Sequence, residues 1–217
     1  PEFTSEKVLT MTHLFENCIS LTSIDLTNFI SGDLIDMTYM FYGCTSAKEI
    51  TFGPEFTARK VDNMYQLFKG CLSLKSVDLS RFHPKDLIET AEMFFDCINL
   101  VQVRFYPKLV LKDMRHMESM FYGCNNTCFT CVDMRGFEIP EDVKVNDFHK
   151  FSNLNIIEDE NKAKPIYNVL STNNKKLMKE NRIRCAWVDH CICFNVYGRC
   201  NRCEKGYRFK NGICVNK

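Results

Sequence analysis

Met11-Thr12-His13-Leu14-Phe15-Glu16-Asn17-Cys18-Ile19-Ser20-Leu21-Thr22-Ser23-Ile24-Asp25-Leu26-Thr27-Asn28-Phe29 is the first of five copies of one pattern. The second copy keeps Met37, Met40, Phe41, Cys44, Ala47, Ile50 and Phe52; the third keeps Met64, Leu67, Phe68, Cys71, Leu74, Val77, Leu79 and Phe82. Met93, Phe94, Cys97, Leu100, Val103 and Phe105 mark the fourth, and Met117, Met120, Phe121, Cys124, Val132, Met134 and Phe137 the fifth. The cysteine column is spaced 26, 27, 26 and 27 residues apart, and Val8, Leu34, Val61, Leu87 and Met114 form one more apolar column ahead of it. A fixed period of this length is the signature of a stacked repeat.

Inside a copy the apolar period changes. Met-x-x-Met-Phe-x-x-Cys-x-x-Leu steps by three and four, which predicts a short helical turn. The Ile-x-Leu that follows steps by two, which predicts a short strand with both apolar residues inward. One such unit cannot bury its apolar side alone, so neighbours stack and share a core. The expected fold is an α/β repeat solenoid.

Apolar-Phe-x-x-Cys-x-x-Leu-x-x-Ile-x-Leu resembles the BspA-type leucine-rich repeat of bacterial and protist surface proteins. The resemblance covers residues 8–137, roughly 60% of the chain. It implies a leucine-rich-repeat parallel sheet on a concave side and short helices on the convex side. Many members of that family are regarded as adhesins for host cells or matrix proteins. The fifth copy departs from the pattern by two extra residues after its cysteine, and Cys128 and Cys131 lie in that insertion. Val145, Phe148, Phe151 and Leu154 read as a degenerate last copy that caps the array.

The chain has 217 residues, 45% hydrophobic and 25% charged, with a formal charge of +1. That balance does not point to nucleic acid, and no apolar run approaches the ~20 residues of a membrane helix. The charge is unevenly placed. Residues 1–150 carry 15 basic and 21 acidic side chains, whereas residues 151–217 carry 13 and 6. Pro1-Glu2-Phe3 reads as a cloning scar and is left out of fold reasoning. The organisation expected is a repeat solenoid over 8–157, a partly helical connector over 158–184 and a cysteine-rich module over 185–217.

Cys18, Cys44, Cys71, Cys97 and Cys124 fall between inward Phe and Leu positions and read as buried thiols acting as small apolar residues. Cys128 and Cys131 are expected to pair. Cys185, Cys191, Cys193, Cys200, Cys203 and Cys214 crowd 33 residues, too few to bury a core without staples. Six cysteines allow 15 pairings, and the sequence does not choose among them. Cys200-x2-Cys203 followed by Gly206-Tyr207 and a closing Cys214 resembles the growth-factor-like and furin-like modules of extracellular proteins. Zinc is the rival reading, with Cys200 and Cys203 joined by Cys191, Cys193 or His190. Disulfides imply an oxidising compartment, and the sequon at Asn125 agrees with secretion.

No phosphate loop, serine elbow or paired metal-binding histidines occur, and the five histidines share no column. The chain therefore reads as non-catalytic, with no cofactor and no resident metal. Binding is expected on the concave sheet, where residues flanking the inward strand positions point out. Those columns are Ser23, Glu49, Ser76, Gln102 and Cys131; Asp25, Thr51, Asp78, Arg104 and Asp133; and Thr27, Gly53, Ser80, Tyr106 and Arg135. Arg104, Tyr106 and Arg135 are the expected partner contacts, since Tyr and Arg are enriched at binding hot spots. Asp25, Asp78 and Asp133 complete the candidate face. The net +5 of residues 184–217 offers a second, anion-seeking surface. Two readings stand: an extracellular or cell-surface module that binds a protein or glycan on a cell or in matrix, and an intracellular repeat scaffold with a zinc-binding tail.

Overall fold

The structure is a computed structural model, and it describes residues 5–125, 130–134, 136–150, 154–157, 164–169, 191–194, 200–211 and 213–216. Each repeat contributes one short strand in the place the Ile-x-Leu step predicts. The first repeats supply β1 (Ser23–Leu26), β2 (Glu49–Phe52), β3 (Ser76–Leu79) and β4 (Gln102–Phe105). A two-residue strand β5 (Leu109–Val110) precedes β6 (Thr130–Asp133), β7 (Phe137–Glu138) and β8 (Leu154–Ile157). Every one of these pairings is parallel: β1 with β2, β3-β4-β6-β8 in one sheet, and β5 with β7. The register keeps the repeat columns intact, with Ile24 opposite Ile50, Val77 opposite Val103 and Val103 opposite Val132. Away from the strands, bridges link Thr10, Asp36, Asn63, Glu89, His116 and Lys144 in succession. The result is a parallel-sheet solenoid.

The short helices expected on the convex side are not there. Among the described residues the one helix is α1 (Lys164–Val169), in the connector. In the first repeat, the N–H groups of Met11, His13, Phe15 and Asn17 donate sideways to the carbonyls of Asp36, Thr38, Met40 and Tyr42, at 2.7–3.1 Å. The N–H groups of Leu14, Glu16 and Cys18 instead donate back three residues, to Met11, His13 and Phe15. The backbone alternates between a lateral ladder and tight turns. A helix would need every N–H to run along its own axis.

Backbone conformation enforces the choice. His13, Tyr39, Gln66, Glu92, Ser119 and Asp147 all have φ between 52° and 59°. Four residues after the first five come Asn17, Gly43, Gly70, Asp96 and Gly123, with φ between 55° and 72°. One left-handed residue every four breaks any right-handed helix. A run of β-turns and a helical turn bring apolar side chains to one side at the same three- and four-residue steps, so spacing alone did not separate them.

The core is a set of ladders running through the solenoid. Phe15, Phe41, Phe68, Phe94 and Phe121 stack successively with ring centroids 5.1–5.6 Å apart, and Phe148 closes the row edge-on to Phe121 at 5.6 Å. From Phe41 to Phe148 these rings are fully buried, each contributing about 1.5–3 kcal/mol of hydrophobic stabilisation. Val145 is also buried, so two positions of the degenerate last copy sit in this core; Phe151 lies outside the described residues. At that end α1 inserts Ile166 into the core, and His149 Nε2 lies 3.0 Å from the Val169 carbonyl. At the other end Leu9, Leu14, Ile19 and Leu21 remain exposed.

Among the described residues no backbone pairing joins β2 to β3, so the sheet divides there. β2 carries Phe52 where β1 and β3 carry Leu26 and Leu79. The two leucines are buried and Phe52 is half-buried, its ring against Phe56 at 5.0 Å and Phe82 at 4.8 Å. The tail forms two antiparallel pairs, β9 (Cys191–Phe194) with β10 (Cys200–Cys203) and β11 (Tyr207–Lys210) with β12 (Ile213–Asn216). Disulfides join Cys191 to Cys200 and Cys203 to Cys214. Lys75, just before β3, meets Glu204 of the tail at 3.6 Å. No helix among the described residues is long and apolar enough to cross a membrane.

Candidate functional site

Strand alternation places the expected columns on the outer side of the sheet, though not uniformly. Ile24 and Leu26 are buried while Ser23 and Asp25 are exposed, and Asp78 and Arg104 are exposed farther along. Gln102 and Cys131 break the pattern, being only 4% and 3% exposed. At those rungs the outward column is covered. Cys131 is disulfide-bonded, whereas Cys128, Cys185 and Arg135 lie outside the described residues. The backbone of Cys193 belongs to β9. Asn125 is exposed, and the rest of its sequon also lies outside the described residues.

Two of the candidate aspartates have a structural job. Asp25 accepts from the Thr27 N–H at 2.9 Å, and Asp78 from the Ser80 N–H at 2.8 Å, closing the turn after each strand. The Thr27 bonds hold the Asp25 carboxyl below its ordinary range. The other Asp78 oxygen lies 3.4 Å from Arg104 Nη1, across the β3–β4 register. Asp133 is half-buried and lies opposite Ile157 of β8.

Tyr106 meets a residue the strand columns did not include. Its ring centroid lies 5.2 Å from that of His83. His83 Nδ1 donates to the Arg81 carbonyl at 2.8 Å, and its Nε2 accepts from Arg59 Nε at 3.2 Å, with Arg59 Nη2 at 3.1 Å. Both imidazole nitrogens are thereby committed. Arg81 and Asp78 also line a cleft of about 240 Å³ at the division between β2 and β3, with Glu49, Thr51 and Ser76. Of Arg59, Arg81, His83, Arg104 and Tyr106, Arg81 alone lines the cleft. Arg104 reaches it through its pairing with Asp78, and Arg59, His83 and Tyr106 form a separate contact cluster joined to Arg81 by the His83 bond to its carbonyl. Arg59, Arg81 and His83 were missed because they come from the loops after the strands. Their arginines are exposed, and guanidinium groups suit bidentate recognition of carboxylate or sulfate oxygens.

A second surface is aromatic and lies on the turn side. His13 stacks on Tyr39 at 4.8 Å and bonds Glu16; Tyr39 meets Tyr42 at 5.6 Å and Tyr65 at 5.5 Å edge-on. Farther along, Lys69 sits 4.4 Å over Phe95, which stacks on Tyr122 at 4.6 Å. His13 is exposed and the other rings are half-buried, packed on each other. The sequence signal was their place beside the left-handed turn residues, at positions that point away from the Phe ladder.

The cysteine column is a third chemical feature, and its four buried members are inert. Cys44, Cys71, Cys97 and Cys124 donate their Sγ–H to the carbonyls of Phe15, Phe41, Phe68 and Phe94, one repeat back, at 3.0–3.2 Å. All five column cysteines are free thiols, and all but Cys18 are buried. Burial pushes the Cys44 thiol up to about 11 and raises Cys71, Cys97 and Cys124 as well. Thiols held this far from the thiolate form are poor nucleophiles.

A family model described as a Mycoplasma protein of unknown function, DUF285, matches residues 9–131. No curated protein and no solved structure matches the chain.

Proposed function

The chain belongs to the DUF285 family, and for this member we propose a non-catalytic binding role on the outer sheet face, in a protein secreted or displayed at a cell surface. The repeats are read as BspA-type leucine-rich repeats and the tail as a growth-factor-like or furin-like extracellular module. What carries the reading is the cleft between β2 and β3, rimmed by Arg81, with Arg104 paired to the same Asp78 that lines it. The partner is a protein or glycan bearing carboxylate or sulfate groups, on a cell or in matrix.

Two further observations support it. His83, the one histidine in the cluster, has both nitrogens occupied, which favours holding a ligand over moving a proton. The two tail disulfides suit an oxidising compartment, where such bonds persist.

The test is retention of the full chain on immobilised matrix proteins and sulfated glycans, compared with an Arg104→Ala/Tyr106→Ala/Arg135→Ala variant. Hot-spot residues of these types carry about 1–4 kcal/mol each when truncated, so a loss of tenfold or more is expected. Equal affinity of the variant for every ligand that the chain retains overturns the reading.

A further inference from the structure

The tail gathers three sulfur atoms in one cluster, with a fourth bonded to one of them. Cys191 is bonded to Cys200 and Cys203 to Cys214. The two bridges touch, with Cys200 Sγ 3.8 Å from Cys214 Sγ, and the sulfurs of Cys200, Cys203 and Cys214 all lie within 4.8 Å of one another. A zinc ion bound tetrahedrally to thiolates at about 2.3 Å has sulfur–sulfur edges of about 3.8 Å. The Cys200–Cys214 edge between the two bridges already has that length.

The backbone explains how. On a regular strand, residues three apart face opposite sides. In β10 the pairing with β9 shifts register between Cys200 and Arg202 and again between Arg202 and Cys203. Such irregularities re-aim side chains, and here both β10 sulfurs reach Cys214 on β12. Arg202, Lys205, Arg208 and Lys210 surround the cluster in sequence against the single acid Glu204. That positive excess suits a zinc tetrathiolate, which carries two negative charges.

We propose that Cys191, Cys200, Cys203 and Cys214 form a redox-gated zinc site, two disulfides when oxidised and a four-thiolate zinc centre when reduced. A phosphine or dithiol supplies two electrons to each bridge, and with two protons each bridge becomes two thiols. Zinc then binds the four sulfurs as thiolates and the four protons leave to solvent. A small disulfide oxidant reverses the exchange: it accepts the electrons, the bridges re-form and zinc is released. The inference uses no residue of the sheet and shares only the two tail disulfides with the proposed function, so metal retention and ligand retention are read out separately.

The full chain, reduced anaerobically with a phosphine, is loaded with cobalt(II) or zinc and desalted. One metal per chain is expected, with the intense visible bands of tetrahedral cobalt thiolate and a shell of four sulfurs by X-ray absorption. Cys203→Ser/Cys214→Ser loses the metal, while Cys185→Ser/Cys193→Ser keeps it; circular dichroism checks that the solenoid persists in both. Oxidised glutathione then frees one zinc for every two disulfides formed. The inference falls if the reduced chain retains no stoichiometric metal, if the Cys203/Cys214 variant binds as well as the parent, or if the Cys185/Cys193 variant does not bind.

Discussion

Cys97 shows how one residue type serves a stacked core. Its side chain fills a slot between Phe and Leu columns, and its thiol donates to the Phe68 carbonyl of the preceding repeat at 3.1 Å. Burial raises its pKa, as it does for Cys44, Cys71 and Cys124. Iodoacetamide at mildly alkaline pH is therefore expected to modify Cys18 in the native chain and to leave the other four unmodified until denaturant is added; peptide mapping reads the difference. Glu89 gives a second residue-scale test. It lies in the bridge column, its Oε1 accepts from the Ala91 N–H at 2.6 Å, and burial raises its pKa despite His116 nearby, with Glu92 and Glu118 adding to the rise. A raised carboxyl pKa means the fold prefers the neutral form, so that stability is present at low pH and is lost as pH rises through the folded pKa. Glu89→Gln should raise the melting temperature at neutral pH, and the gain should vanish at pH values below the carboxyl's range. The thiol role of the column was legible because cysteine stood where Leu and Phe flanked it in every copy. The raised Glu89 was not, because nothing in sequence says that its neighbour columns close over it.

The turn is the element that sequence spacing misassigned. The residue before each column cysteine is Asn17, Gly43, Gly70, Asp96 or Gly123, the residue types that tolerate the left-handed region. That column was the available signal against a helix, since a glycine inside a helical turn, as at 43, 70 and 123, weakens it. Gly70 isolates the effect: φ is 72°, and an added Cβ would meet nothing closer than 3.7 Å. Gly70→Ala should cost about 1–2 kcal/mol, the price of the left-handed conformation alone, measured by urea unfolding, and Gly70→Asn should cost less. Gly53 tests a different constraint. Its added Cβ would lie 1.9 Å from the Thr27 carbonyl oxygen of the neighbouring repeat, so Gly53→Ala must push two backbones apart. A loss of about 3 kcal/mol is expected, and a change under a few tenths would mean the two loops are farther apart than described. The repeat strands β1–β4 and β6 were legible because Ile-x-Leu alternation has no helical counterpart, whereas the two-residue strands β5 and β7 and the tail strands β9–β12 carry no such repeated step. The division of the sheet at β2 was not, because Phe105 of β4 stands in the same column as Phe52 and β4 nonetheless pairs on both sides.

At the scale of the molecule, the pairing of Arg104 with Asp78 was readable, because both stand in one column on successive repeats. The Arg59–His83–Tyr106 cluster was not, because it joins loops of unequal length to a strand end, and only the folded register puts them together. The same nearest-neighbour construction governs how the protein comes apart. Repeats touch their neighbours and little else, so stability is close to a sum of rung and interface terms. Phe68 stacks on Phe41 at 5.4 Å and on Phe94 at 5.3 Å, and thus couples the two halves of the array. Ile166 is fully buried but sits at the end, where α1 docks. Phe68→Ala removes about 3–5 kcal/mol from the middle and should split a single melting transition into two. Ile166→Asp should instead expose the last rung and α1, leaving the first three repeats at parental protection. Hydrogen exchange resolved by peptide distinguishes them: the interior lesion should raise exchange on both sides of Phe68, and the end lesion only near Phe148. Uniform loss of protection from either substitution would mean that the solenoid folds as one indivisible unit, and the additive description by rungs would have to be given up.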